Sequence, residues 1–258
     1  MKKRAIVIGT GIAGLASTLR LIKKGYEVKA FESNDHVGGK INSLSSKGYR
    51  WDMGPSLFTM PHYVEELFEL FGENPKNHFN YKKKEILCNY FWEDGTVFSA
   101  KAQPSTFISE ASQTFDVNPK AITNYLKKSK LKYDLTAPIF LKKSLHQWST
   151  YFTLATLKAL FNSFRLNLFE SLNNFNKRKL KQKKLIQFFN RFATYNGSSP
   201  FKTPGIMSMI PHLEMGFGTY FPKGGMIQIS QSLYRLALSK GAKFHLSTPV
   251  TEIIHNGN

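Results

Sequence analysis

The chain has 258 residues, of which 36 are Lys or Arg and 17 are Asp or Glu, for a net charge of +19. That length suits one large domain or two intertwined smaller ones, and a hydrophobic content of 41% is ordinary for a globular protein. The single cysteine, Cys88, excludes an internal disulfide and a multi-thiolate metal site, and the seven histidines show no ligand spacing, so no metal is expected.

Met1-Lys2-Lys3-Arg4 ahead of an apolar stretch mimics a secretory leader. The same apolar residues are needed as the first strand, and three spaced glycines break the run, so no leader is expected. Arg4 to Ile8 reads as a buried parallel strand. Gly9-Thr10-Gly11-Ile12-Ala13-Gly14 follows at once, and the next residues, to Lys24, carry Leu15, Leu19 and Ile22 at helical spacing. Gly25 ends that helix, and Tyr26 to Phe31 reads as a second strand that closes on Glu32. Strand, glycine turn, helix, strand and terminal acid in this order mark a dinucleotide site, which an isolated GxGxxG would not. Gly9 permits the tight turn, and Gly14 lets helix and strand pack closely. Gly11, with Ile12 and Ala13 after it, lets the backbone approach a pyrophosphate at the positive end of the helix. Glu32 stands 18 residues past Gly14. A carboxylate there can accept hydrogen bonds from the ribose hydroxyls of an adenosine, and it would repel a 2′-phosphate, which disfavours NADP.

The segment from Glu32 through Val37-Gly38-Gly39-Lys40 resembles the one that flavoproteins of the amine oxidase and phytoene desaturase superfamily place after the ribose acid. The resemblance implies FAD rather than NAD, with Gly38 and Gly39 close to the FAD diphosphate and a basic side chain adding charge. That side chain is usually Arg; Lys40 keeps the charge and loses the bidentate fork. Trp51-Asp52-Met53-Gly54-Pro55-Ser56 is similar to the aspartate-x-Gly-Pro turn that the family carries next, which adds Gly54, Pro55 and Ser56 to the expected cofactor contacts.

Helices are expected at 61–71, 104–114 and 119–133, and a hairpin over 85–99 turning at Glu93-Asp94-Gly95. Between Val117 and Leu213 the only acids are Asp134 and Glu170, against basic clusters at 127–132 and 177–184. Such a face attracts polyanions. No nucleic-acid-binding motif is visible and the aromatics fall at helical spacing, so anionic lipid is the expected partner and nucleic acid is not. From Thr150 to Leu172 the residues Leu154, Leu157, Phe161, Phe164, Leu168 and Leu172 recur at three and four. Two readings stay open there: a helix lying in a membrane interface, and a helix packed on its own core, which periodicity alone favours. No uncharged apolar stretch reaches the ~20 residues of a spanning helix.

Arg191 to Pro200, Pro211-His212-Leu213-Glu214 and Phe221-Pro222-Lys223-Gly224-Gly225-Met226, taken with the N-terminal motif, resemble bacterial-type phytoene desaturases and related carotenoid desaturases. The resemblance places Gly224, Gly225 and Met226 near the flavin ring system and the backbone of Val250 against adenine. A helix at 227–240 and a strand at 242–246 follow. Glu252-Ile253-Ile254 reads as a further strand entering an Asn256-Gly257 hairpin turn.

The expected fold class is α/β: a Rossmann-like FAD-binding domain with a parallel sheet, at 1–75 and 222–258. A largely helical α+β substrate-binding and membrane-associating domain is inserted at 76–221. The resemblance implies an FAD-dependent desaturase of carotenoid precursors such as phytoene, cytoplasmic and peripheral on the inner face of the cell membrane. An isoprenoid substrate dissolved in the bilayer raises the interfacial reading of 150–172. No residue is singled out as catalytic. Family members are nearly twice as long, so the chain is expected to be an N-terminal portion, either a fragment of a split or truncated gene or one that another chain completes. Two alternatives stand: another FAD-dependent oxidase of the superfamily, acting on an amine or a tetrapyrrole, and a non-catalytic lipid-binding fragment.

Overall fold

The first strand, β1 (Arg4–Ile8), leads through the glycine turn into α1 (Ile12–Lys23) and returns as β2 (Glu27–Phe31). This is a computed structural model, and it describes residues 3–255. A hairpin of β3 (Asn42–Ser46) and β4 (Tyr49–Met53) follows, then α2 (His62–Glu69) and β5 (Tyr81–Lys83). The chain continues through the hairpin β6 (Ile86–Phe91) and β7 (Val97–Lys101) into α3 (Pro104–Phe115), α4 (Pro119–Phe140), α5 (Leu154–Phe161), α6 (Leu172–Leu180), α7 (Lys183–Asn190) and α8 (Pro211–Met215). It closes with β8 (Tyr220–Pro222), α9 (Ile227–Ser239) and β9 (Lys243–His245). Two compact units result: one runs to Lys83 and resumes at Tyr220, the other spans Lys84–Thr219.

In the first unit, β1, β2 and β9 form a parallel sheet in the order β1-β2-β9, with Arg4 opposite Glu27 and Lys29 opposite Lys243. The expected Rossmann-like βαβ start is therefore present. Gly25 at φ +86° turns the chain out of α1, a conformation that glycine adopts without steric cost. Leu15 and Leu19 of α1 pack with Leu67 and Phe68 of α2 and with Leu233 and Leu236 of α9, all buried. Each such side chain contributes about 1.5–3 kcal/mol by leaving water. The reading of β1 as a buried strand holds for Val7 only: Ile6 is 67% and Ile8 52% exposed. β1 is an edge strand of this sheet, and helices cover one face of it among the described residues.

The second unit explains much of the phenylalanine content. Phe98, Phe107, Phe115, Phe188, Phe189 and Phe192 form a single buried cluster with Tyr125, joined by edge-to-face and tilted ring contacts. The hairpin turns as expected: Trp92 N donates to the Thr96 carbonyl and Gly95 N to the Trp92 carbonyl.

Two expected elements are corrected. The stripe at 150–172 is not one helix. α5 ends at Phe161, where the Asn162 side chain bonds the Lys158 carbonyl at 2.8 Å. A 3-10 turn (Ser163–Arg165) follows, Asn167 takes φ +56°, and Ser171 caps α6. Asn tolerates that left-handed conformation, and short polar side chains here outcompete the apolar period. Residues 252–254 form no strand, and Ile253 and Ile254 are exposed; within the described residues no neighbouring strand pairs with them to supply a ladder. Asn256-Gly257 lies outside the described residues. No helix among the described residues is long and apolar enough to cross a membrane.

Candidate cofactor site

The expected site residues of the first unit gather around the start of α1. Gly9 takes φ +87° as the chain leaves β1, and its N–H donates to the Phe31 carbonyl at 2.8 Å. A Cβ on Gly14 would stand 1.9 Å from the Gly9 carbonyl oxygen, so glycine there is a packing requirement. Gly11 differs: its φ is −62°, and a Cβ would meet nothing within 4 Å. Ile12 and Ala13 open α1, which begins with neither a side-chain cap nor an acid in its first turn. The second glycine pair touches the first loop directly. Gly38 N donates to the Thr10 carbonyl at 3.0 Å, Gly11 and Gly38 form a parallel β-bridge, and a Cβ on Gly39 would lie 3.3 Å from the Gly11 Cα. Lys40 is exposed, and its carbonyl oxygen would stand 1.9 Å from a Cβ on Gly54, at φ +91°. Gly54, Pro55 and Ser56 form an exposed stretch beyond β4.

Glu32 is 5% exposed and has a denser partner set than its position in sequence suggests. Its Oε2 accepts from Thr10 N at 2.8 Å and Thr10 Oγ1 at 2.9 Å. Its Oε1 accepts from Asn34 N at 3.0 Å, Asn34 Nδ2 at 2.8 Å and Ser33 Oγ at 3.2 Å. Burial pushes this carboxyl up, but the hydrogen bonds from Asn34 and Thr10 outweigh burial and hold it down at about 2. The carboxylate thus fastens the glycine loop to the end of β2. Thr10, fully buried, was missed by sequence reasoning. Its only signal there is a hydroxyl inside the glycine motif, and its use depends on a residue 22 positions away.

Gly224 and Gly225, at φ +88° and +94°, turn the chain from β8 into α9. The space beside Gly225 holds the Arg50 guanidinium, 2.2 Å from where a Cβ would lie. Asp52 Oδ1 accepts from Arg50 Nη2 at 2.6 Å and from Met226 N at 3.0 Å. Arg50 and Asp52 therefore anchor the 224–226 turn; sequence reasoning placed Asp52 in its Gly-Pro turn without this role and passed over Arg50. Val250 is 40% exposed, two residues past Thr248, whose N–H donates to the Glu32 carbonyl at 2.8 Å. A cavity of about 490 Å³ borders the segment after Glu32, with Asp35, Val37, Asn42, Gln231 and Tyr234 in its wall.

The family model described as flavin containing amine oxidoreductase matches residues 12–258. The chain belongs to this family. It is 52% identical, over 99% of its length and 52% of the relative's, to a 1-hydroxycarotenoid 3,4-desaturase of Flavobacterium sp. (strain P99-3). It is 32% identical to a 4,4'-diapolycopene oxygenase of Methylomonas sp, over 97% of this chain and 50% of that one. The chain thus spans about half the length of the curated relatives it matches. Among solved structures, cyclohexylamine oxidase from Brevibacterium oxydans shares the fold at a TM-score of 0.60 and 17% identity, covering 96% of this chain and 51% of that one.

FAD is the cofactor of this family, and the loop has what a diphosphate needs. The first turn of α1 is uncapped and free of acids, there is open space above Gly11, and the exposed Gly39 beside it carries no side chain.

The two earlier stretches of the second signature, 191–200 and 211–214, lie in the other unit and build a buried polar network. Arg191 Nη2 donates to Glu214 Oε2 at 2.8 Å, Tyr195 OH to Glu214 Oε1 at 2.6 Å, and Arg191 Nε to Tyr90 OH at 2.6 Å. Glu214 is 1% exposed. Burial works against the charge on Arg191, but Glu214 more than offsets it and raises the guanidinium above its usual value. The same burial raises the Tyr195 hydroxyl, reinforced by Glu214.

Proposed function

We propose that this chain forms the dinucleotide-binding half of an FAD-dependent desaturase that acts on an acyclic carotenoid in carotenoid biosynthesis. The observation that carries the reading is the meeting of two glycine loops at the uncapped start of α1, in a chain 52% identical to a carotenoid desaturase along almost its whole length. FAD, when bound, would accept as hydride one of the two hydrogens lost as a carbon–carbon single bond becomes double, the other leaving the neighbouring carbon as a proton.

The chain's own residues bind and orient. The amides of Gly11, Ile12, Ala13 and Gly14 receive the diphosphate, and Gly38, Gly39 and Lys40 close over it. Glu32, held by Thr10 and Asn34, keeps the loop in shape and offers its carboxylate to the ribose in exchange for Ser33, its most distant partner. Val250 lies by the adenine, and Gly54–Ser56 with Gly224, Gly225 and Met226 serve the flavin side. The unit that runs to Lys83 and resumes at Tyr220 serves the cofactor, and Lys84–Thr219 serves substrate and membrane.

Membrane docking is part of the same reading. Leu154, Phe161, Phe164 and Phe169 are mostly exposed within a stretch, 117–213, whose only acids are Asp134 and Glu170, which suits a lipid surface of negative charge, as on the inner face of the cell membrane. Exposed Ile6 and Ile8 on the edge strand β1 support a second reading, a non-catalytic lipid-binding fragment needing a second chain.

The test is complementation. The chain is mixed with the second half of the Flavobacterium relative, FAD and vesicles carrying an acyclic carotenoid. The expected result is a shift of carotenoid absorption to longer wavelength as conjugation extends. A complex that binds FAD and leaves every such carotenoid unchanged defeats the desaturase reading.

A further inference from the structure

In the unit spanning Lys84–Thr219, α4 and α6 converge on the 3-10 turn at 163–165 and enclose a cavity of about 350 Å³. Four cations face it: Lys128 from α4, Arg165 from the turn, and Arg178 and Lys179 from α6. Its floor is the ring of Phe175, which is 1% exposed. Behind that ring the fully buried Lys132 ammonium lies 3.8 Å from the centroid, held by the Gly205 carbonyl at 2.9 Å and Ser208 Oγ at 2.6 Å. The nearest acid, Glu170, is committed: its Oε1 accepts from Arg178 and from Asn167 Nδ2. One carboxylate against the four cations that line it leaves the pocket positive, while burial brings the Lys132 ammonium behind it down to about 7. The chemistry of Lys179 registers this. Its ammonium is lowered from the ordinary value by burial and then by contact with Lys128, with Arg178 adding to the effect. Like charges held this close call for an anion between them.

The surroundings say which anion. A second cavity, of about 490 Å³, shares Phe164 and Asn167 with the first and is otherwise lined by Leu168 and Phe169, with Ser163 and the already paired Glu170. Phe164 is 73% exposed and Phe169 is entirely so. A cationic pocket that continues into an apolar trough has the shape of an amphiphile, with a phosphate in the first and hydrocarbon along the second. A free phosphate would use only half of it. Phe152, Leu154, Leu160 and Phe161 are also exposed nearby in sequence, so the trough belongs to a broader apolar surface of the kind that enters the acyl boundary of a bilayer.

We propose that the Lys128–Arg165–Arg178–Lys179 cavity is a headgroup site for an anionic phospholipid, with the Phe164–Leu168–Phe169 trough taking the first part of its acyl chains. The proposal rests on the membrane-docking reading and adds to it a defined pocket. It makes the unit a reader of phosphate at the bilayer surface, which a diffuse basic face is not.

The test compares two triple variants of equal charge loss in the full chain: K128S/R165S/K179S in the pocket and K177S/K181S/K183S outside it. Circular dichroism melts establish that both fold. Co-sedimentation is measured with phosphatidylcholine vesicles with and without phosphatidylglycerol, and repeated with inorganic phosphate replacing chloride at equal ionic strength. The expected result is that the pocket variant loses at least about tenfold in partition to phosphatidylglycerol vesicles while the outer variant stays within about threefold. K128R/K179R, which keeps the charge, is expected to bind like the parent chain. Equal losses in the two triple variants overturn the pocket and leave membrane docking standing. Failure of the parent chain to bind anionic vesicles overturns both. Saturable binding of inorganic phosphate in solution, with no gain from phosphatidylglycerol, makes the cavity a phosphate site and overturns the lipid assignment.

Discussion

Gly11 and Gly14 sit three residues apart in one motif and do different work, which gives a clean separation of folding from binding. A Cβ at Gly14 runs into the Gly9 carbonyl, while a Cβ at Gly11 projects into open space. Gly14→Ala is expected to cost about 1–3 kcal/mol of stability through overpacking, read as a lowered melting temperature. Gly11→Ala is expected to melt like the parent chain and to weaken FAD binding by about tenfold, or ~1.4 kcal/mol. Glu32 makes a third residue-scale case. Its folded-state value of about 2 lies below the ordinary 4.5. Its contribution is therefore complete above about pH 4.5 and is lost as pH falls toward 2, at most about 3 kcal/mol. Urea midpoints at pH 6 and pH 3 are expected to converge for Glu32→Gln relative to the parent chain. An unchanged difference between the two proteins across that window would contradict the role given to the carboxylate.

At the scale of elements, the Arg191–Glu214–Tyr195–Tyr90 network joins the hairpin β6–β7, the turn after α7 and α8 into one buried polar cluster. Removing one charge strands the other. Glu214→Ala is expected to cost about 3–5 kcal/mol, and the R191M/E214A double variant less than the sum of its singles, both measurable by urea denaturation. What could be read from sequence follows the same scale. β1, α1 and β2 were legible because their signals are local: an apolar run, a glycine turn, a helical period and a stop at Gly25. The hairpin at Asp94-Gly95 was legible for the same reason. The break between α5 and α6 was not, because an apolar stripe runs across it, and the ends are set by Asn162, Asn167 and Ser171, residues ordinary in themselves. The strand expected at 252–254 failed because a strand needs a neighbour, and sequence pattern does not supply one. The partners of Glu32 and the Arg50–Asp52 anchor under Met226 were hidden by distance along the chain, the latter across 174 positions.

At the scale of the whole molecule, charge and apolar exposure point the same way. A net charge of +19 and a region, 140–169, rich in exposed Phe, Leu and Trp favour an anionic lipid surface. Binding to phosphatidylglycerol vesicles is expected to fall as ionic strength rises toward values where the Debye length is about 3 Å, while an apolar contribution persists. Complete indifference to salt would contradict the electrostatic part. The most direct measurement of the central claim is equilibrium dialysis of the chain against FAD and NADP separately, with the visible spectrum recorded afterwards. Retention of FAD, with its yellow absorption, and rejection of NADP is the expected result. Retention of neither, or of NADP in preference to FAD, would contradict the assignment of the two glycine loops and Glu32 to a flavin coenzyme.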